Sequence, residues 1–385
     1  MKKIAFVTSS RADYSLLKPV MIHFRNSEEF NLQVIVTGSH LSQKHGYTIN
    51  EILSDGFDVS QKIHILEDGD TANDICRSAS NAMKGMSSAL SEINPDLIVV
   101  LGDRFEIFSM AMAATIHRIP IAHLHGGEVT EGAMDECFRH SITKMSHLHF
   151  ASTDEYRERI IQLGEKPEYV WNVGAVGVEN VLNVKRIDKP TLYKDLSIPL
   201  SKKVLLVTYH PETLSYQTPQ AQISELLTAL SHYGDYFLVF TKANADTSGT
   251  IINDAIDEYI SKHPHNSKLY ASLGSLRYLN LVSYASAVIG NSSSGIIEVP
   301  SFKIPTVNIG DRQKGRVRSK SVIDVECKSE SIKLAIEKAM NHDFLEQLKK
   351  TDNPYEKKGT SFEIFRIIMA QLEQGIEIQK KFYDL

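Results

Sequence analysis

The chain has 385 residues, 42% of them hydrophobic and 23% charged, the make-up of a water-soluble globular protein with more chain than one ordinary core needs. Its net charge of −5 speaks against nucleic acid as the main partner, so local basic clusters read as sites for small anions. No apolar run approaches the roughly 20 residues that span a bilayer, and the scattered Cys76, Cys137 and Cys327 show neither disulfide nor metal spacing, which fits a reducing cytoplasm.

The N-terminal stretch MKKIAFVTSS joins two lysines to a short apolar run. Because that run ends in the charged turn Arg11-Ala12-Asp13, it reads as a first β-strand, 4–8, rather than a signal peptide. Further apolar runs at 32–37, 97–101, 119–124, 148–151 and 170–173 alternate with helical patterns such as 72–93 and 107–117. Over 184–201 the pattern lapses into a polar segment with Lys189-Pro190 and Pro199, taken as the domain boundary. It restarts with runs at 203–208, 237–241, 268–271, 287–289 and 306–309, separated by helical patterns such as 221–233 and 251–261. Short buried strands alternating with helices predict parallel sheets covered on both faces. The expected fold is α/β, with two doubly wound Rossmann-like domains, 1–185 and 186–360, and a cleft between them. An amphipathic helix from 361 onward is expected to cross back to the first domain or to form an oligomer contact, and 380–385 reads as a loose end.

Open α/β sheets bind ligands beyond the carboxyl ends of their strands, so the chemistry is sought there. After the first strand, residues Ser9 to Ser15 lack the glycine fingerprint of dinucleotide binding, and a nicotinamide cofactor is not expected. Arg11 is either an anion ligand or an exposed member of a capping turn. His40, alone at the second strand end, reads as structural. Asp103 and Arg104 stand straight after an apolar run, either as a mutual ion pair or as site residues. The next run ends in His123-Leu124-His125-Gly126-Gly127-Glu128, dense in proton-transfer groups. Two histidines two apart also suit zinc, but the spacing offers no third strong ligand. Asp135 follows, then Arg139-His140 on the next helix. Asp103, Glu128 and Asp135, aimed at one cleft, can divide into an acid and a base at neutral pH.

In the second half, Tyr209-His210-Pro211-Glu212-Thr213 and residues 242–247 are polar ends of buried strands, and His210 is a candidate donor to phosphate. The run at 287–289 enters the turn Gly290-Asn291-Ser292-Ser293-Ser294-Gly295, followed by a short helix, 296–299, that Pro300 stops. Small residues at such a turn let backbone N–H groups converge on an anion, and the serine hydroxyls add donors. Arg312, Lys314, Arg316 and Arg318 crowd the loop after the next strand. Together the turn and the loop predict a diphosphate site.

The set Arg11-Ala12-Asp13, Thr37-Gly38-Ser39-His40, Gly102-Asp103-Arg104, His125-Gly126-Gly127-Glu128, Arg139-His140-Ser141-Ile142, His210-Pro211, Gly290-Asn291-Ser292-Ser293 and Gly310-Asp311-Arg312-Gln313 resembles the UDP-N-acetylglucosamine 2-epimerases. It looks most like the hydrolysing branch that makes N-acetylmannosamine for bacterial sialic acid synthesis. The resemblance runs from about Lys3 to Asp324 and implies the two-Rossmann-domain, glycosyltransferase-B-like architecture. It implies that Ser292, Ser293, Arg312, Arg11 and His210 meet the diphosphate, that Glu298 bonds the ribose hydroxyls, and that Ser15, Arg104 and Asn244 touch the nucleotide or sugar. It further implies a UDP-sugar substrate, no cofactor or metal, and a homodimer or homotetramer. The implied reaction turns UDP-N-acetylglucosamine and water into N-acetylmannosamine and UDP, by anti elimination to a 2-acetamidoglucal and rehydration. Asp103, Glu128, Asp135 and His125 are the proton-transfer candidates. Many relatives carry Glu where this chain has His125, which leaves the individual acid and base roles open. The alternative substrate is UDP-2,4-diacetamido-2,4,6-trideoxyglucose, and a UDP-sugar glycosyltransferase is the alternative activity.

Overall fold

Apolar runs of four to seven residues, alternating with helices, have built two all-parallel sheets in the computed structural model, which describes residues 1–69, 71–212, 214–243 and 248–385. The chain divides into two units. The first comprises Met1–Glu128, Met134–Asn180 and Lys357–Leu385, and the second Val129–Ala133 and Val181–Glu356.

The strands of the first unit are β1 (Lys2–Thr8), β2 (Phe30–Thr37), β3 (Val59–Ile63), β4 (Leu97–Leu101), β5 (Ile121–Leu124), β6 (Leu148–Ala151) and β7 (Val170–Asn172), in the order β3-β2-β1-β4-β5-β6-β7. Alternate residues feed opposite faces. Ile4 and Phe6 join a cluster with Leu17, Met21 and Phe24, while Ala5 and Val7 join Met86, Leu90 and Met110 on the other side. The helix Thr360–Gln374 covers the first of these faces with Ile364, Ile367, Ile368 and Leu372.

The second unit has β8 (Lys203–Thr208), β9 (Tyr236–Thr241), β10 (Ser267–Tyr270), β11 (Ala285–Gly290), β12 (Thr306–Ile309) and β13 (Val322–Val325), in the order β10-β9-β8-β11-β12-β13. Leu205 and Val207 pack with the helices Pro219–Leu230, Gly249–Lys262 and Ser329–Ala339, and Val204 and Leu206 with Lys189–Asp195 and Gly274–Tyr284. Both sheets reverse direction of growth once, between β1 and β4 and between β8 and β11. These are the switch points where a doubly wound sheet leaves a crevice at its carboxyl edge.

Several local expectations are corrected. β3 and β13, both at sheet edges, carry no apolar run. β5 begins at Ile121, not at 119, because Arg118 turns the chain through the left-handed region at φ 57° and Pro120 follows. The polar segment 184–201 contains the helix Lys189–Asp195, capped by the Asp188 side chain, with Leu192 and Tyr193 fully buried. The last residues are fastened rather than loose. Lys380 donates to the Lys144 carbonyl at 2.8 Å and pairs with Glu165 at 2.8 Å, while the Tyr383 N–H reaches the Gly164 carbonyl at 3.0 Å. Among the described residues no helix is long and apolar enough to cross a membrane.

Candidate active site

In the first unit the switch point is flanked by the turns after β1 and β4. The turn after β1 is organised by Asp13, which opens the helix Arg11–Arg25 in a capping box with Ser10. The buried Asp13 carboxylate accepts from the Ser9 N–H at 3.0 Å, the Ser9 hydroxyl at 2.7 Å and the Thr8 hydroxyl. His40 is buried beside it, between Thr8 (3.0 Å) and Thr48 (2.7 Å), and burial pushes its imidazole down. His40 therefore braces the turn. The Arg11 guanidinium has neither a hydrogen bond nor an ion pair among the described residues, and burial lowers it below the usual value. The Ser15 hydroxyl bonds the Ala12 carbonyl at 2.8 Å, within its own helix.

The turns after β4 and β5 meet on one side chain. Arg139, on the helix Asp135–Met145, is wholly buried. Its Nη2 bonds Asp103, and its Nη1 bonds Glu136 at 2.7 Å and the Glu128 carbonyl at 2.9 Å. A buried guanidinium is tolerable only with its charge matched and its donors used. Here the matching groups bring two sequence-predicted carboxylate positions, Asp103 and Glu128, onto one anchor. Arg104 turns to Glu106 at 2.6 Å. Asp135, the first residue of the same helix, is half-buried.

Glu128 is itself held twice. His125 Nδ1 lies 2.9 Å from Glu128 Oε1, and the Ser152 hydroxyl donates to the same oxygen at 3.0 Å. His125 adopts φ 65°, unusual for a non-glycine residue, and its Nε2 is buried without a hydrogen-bond partner among the described residues. With Nδ1–H directed at the carboxylate, Nε2 carries the lone pair in the neutral ring. His123 differs. Its Nε2 donates to the Gly102 carbonyl at 2.7 Å, and burial pushes it down to about 3, so it is a neutral structural group. Among the described residues no group of three or more His, Cys, Asp or Glu is arranged to hold a metal ion.

In the second unit, the turns after β8, β11 and β12 converge. Gly290 ends β11 at φ 132°, and a Cβ there would fall 1.9 Å from the Thr208 carbonyl oxygen, so only glycine lets the two strand ends stay this close. Asn291 is fully buried, and Ser292 and Ser293 are half-buried, with no hydrogen-bond partner for either hydroxyl among the described residues. The helix behind them is a single turn, Ser294–Ile297, and Glu298, half-buried, closes it. Arg312 Nη1 donates to the Asn291 carbonyl at 3.1 Å. His210 is buried at the end of β8, and nearby Glu212 is pushed above the usual carboxylate range by burial. Asn244 lies outside the described residues. The segment Val129–Ala133, directly after Glu128 in the chain, also belongs to this unit. Its Glu131 N–H bonds the Lys314 carbonyl at 3.1 Å, and a Cβ on Gly132 would stand 2.6 Å from the Asp311 carbonyl.

Sequence reasoning named most of these positions but missed the anchors. Arg139 and Asn291 stood out only within motifs, without a role of their own, and Ser152 not at all.

A family model of UDP-N-acetylglucosamine 2-epimerases matches residues 23–369. The chain is 41% identical over 384 residues to a GDP/UDP-N,N'-diacetylbacillosamine 2-epimerase (hydrolyzing) of Campylobacter jejuni, covering 100% of this chain and 99% of the relative. It is also 41% identical over 386 residues to the polysialic acid biosynthesis protein P7 of Escherichia coli, covering 100% and 98%. The fold matches that of S. aureus MnaA solved with UDP at a TM-score of 0.80 and 17% identity, covering 100% of both chains. The chain belongs to the UDP-N-acetylglucosamine 2-epimerase family and is a UDP-sugar 2-epimerase.

Proposed function

We propose that the chain hydrolyses a UDP-linked 2-acetamido sugar to UDP and the free sugar inverted at C2, with UDP-N,N'-diacetylbacillosamine (the 2,4-diacetamido-2,4,6-trideoxyglucose nucleotide) as substrate. The observation that carries the reaction is the joined set Asp103–Arg139–Glu128–His125, in which groups able to take and give protons are held on one buried cation. The sugar is supported by the relative named for hydrolysing diacetylbacillosamine epimerisation, whose match covers the whole of this chain. UDP-N-acetylglucosamine is the second reading, favoured by equal identity to the polysialic acid protein.

In this mechanism the C1–O bond breaks with its electron pair leaving on UDP, and the C2 proton is lost, giving the 2-acetamidoglycal. Ser292, Ser293, Arg312 and His210 receive the charge that grows on the diphosphate, with Arg11 adding to it, and Glu298 accepts from the ribose hydroxyls. Asp103, set on Arg139, takes the C2 proton. Water then adds at C1, with Asp135 as its base. His125, once its Nε2 has taken a proton from solvent while Nδ1–H stays on Glu128, delivers that proton to the opposite face of C2.

The test is proton NMR in D2O with each UDP-sugar, and with the GDP-linked diacetamido sugar. Free 2-epimer deuterated at C2, together with UDP, is expected, with the diacetamido sugar turned over faster. A UDP-linked 2-epimer without UDP release would overturn the hydrolytic reading. Faster turnover of UDP-N-acetylglucosamine would overturn the choice of sugar.

A further inference from the structure

Three strand-end turns must hold a fixed spacing if the second unit is to grip a diphosphate, and one residue, through its side chain and its own carbonyl, ties them together. Asn291 follows the last residue of β11 and has no exposed surface. Its backbone N–H donates to the Thr208 carbonyl at 3.1 Å, one step beyond the Gly290–Thr208 register pair of β11 and β8. At the next step a strand would need another backbone pair, but the chain turns away, and the Asn291 amide takes over. Its Oδ1 accepts from the His210 N–H at 2.7 Å, and its Nδ2 donates to the His210 carbonyl at 2.8 Å. Its own carbonyl oxygen then accepts from Arg312 Nη1 at 3.1 Å and from Gln313 Nε2 at 2.8 Å, both from the turn after β12. Gln313 is in turn held by Arg318, whose Nη2 donates to the Gln313 carbonyl at 3.0 Å.

From this we infer that Asn291 is the positioning residue of the diphosphate site. It fixes His210, Arg312 and the Ser292–Ser293 hydroxyls relative to one another without itself meeting the ligand. The inference rests on the proposed binding of UDP by the second unit. Among side chains of this size only an amide carries an acceptor and a donor on one planar end. Aspartate has the same shape but no Nδ2 donor, so it would leave the buried His210 carbonyl facing a second acceptor and would put a negative charge behind the phosphate turn.

The experiment is calorimetric titration of UDP into the wild-type protein, Asn291→Asp and Gln313→Ala, at a temperature well below each melting point, alongside steady-state kinetics. Asn291→Asp is expected to weaken UDP roughly ten- to a hundredfold, and to lower kcat as well as raise KM, because the groups it misplaces receive the charge of the leaving diphosphate. Gln313→Ala, which removes one of the two donors to the Asn291 carbonyl, is expected to weaken UDP about three- to tenfold. A merely structural asparagine would lower the melting temperature while leaving the affinity of folded molecules unchanged. Folded Asn291→Asp with UDP affinity within twofold of wild type would overturn the inference. If that variant does not fold, Gln313→Ala decides, and unchanged affinity there overturns it as well. Failure of the wild-type protein to bind UDP would instead overturn the underlying reading of the second unit.

Discussion

Replacing Arg139 by methionine should uncouple turnover from nucleotide binding. The guanidinium side chain is 1% exposed and bonds Asp103, Glu136 and the Glu128 carbonyl. Removing one partner of a buried ion pair costs about 3–5 kcal/mol. Asp103 and Glu136 are each 24% exposed, so water reaches the carboxylates left behind and the lower end, about 3 kcal/mol, applies. The chemical effect is separate. With its anchor gone, the Asp103 carboxylate is free to rotate and the Glu128 backbone loses its tether. A misplacement of about 1 Å costs on the order of a hundredfold in rate, close to 2.7 kcal/mol of barrier. Arg139→Lys keeps the charge but presents a single ammonium in place of a fork, so it should fall between, about tenfold down. The assay is kcat from UDP release, with UDP affinity by calorimetry and stability by thermal melting on the same preparations. Affinity should hold, because the residues assigned to UDP lie mainly in the other unit. A folded Arg139→Met protein with kcat within threefold of wild type would refute the reasoning.

Burial raises Glu212, so the folded state holds its proton more tightly than the unfolded chain. Stability from this source is present below the unfolded pKa and is lost as pH rises through the folded one, so Glu212→Gln should gain stability over wild type between pH 5 and 8, read from melting curves. His123 titrates at about 3 in the fold against an ordinary 6.5, so its contribution is intact above 6.5 and fades as pH falls toward 3. His123→Gln should flatten that acid limb, and an unchanged limb would count against the burial argument. Deleting residues 380–385 removes the Lys380–Glu165 pair and the Phe382 ring that sits on Gly164. Glu165 keeps Lys144 at 2.6 Å and His149 at 3.0 Å, so the loss in denaturant titrations should stay below the ~3 kcal/mol of an uncompensated buried charge.

The strands legible from sequence are the central ones, because burial on both faces demands unbroken apolar runs: β1, β4, β8 and β11 are buried almost throughout. The edge strands were not legible for the converse reason. β3 buries only Ile63 and β13 only Ile323, leaving no apolar run to read. The same contrast holds at the site. The serine turn and the His125–Glu128 cluster are contiguous in the chain and announce themselves. Arg139 meets Asp103 from 36 positions away, and Asn291 meets His210 from 81. No local pattern encodes a contact of that span, and an arginine in a helix's second turn reads as solvent-facing until the fold buries it.

The helix Thr360–Gln374 has a consequence for how the chain is made. The strands of the first unit are complete by Asn172, yet Phe6, Val36 and Val99 share their cluster with Ile364, Ile367 and Ile368. Those residues leave the ribosome roughly 190 positions later, a wait of about 10–40 s at ~5–20 residues per second. Throughout that interval one face of the nascent sheet lacks its cover, while β8 to β13 of the second unit emerge in one uninterrupted stretch. The half-built first unit is then the natural client of a chaperone that shields apolar surface, and a ribosome stalled within the second unit would strand it in that state.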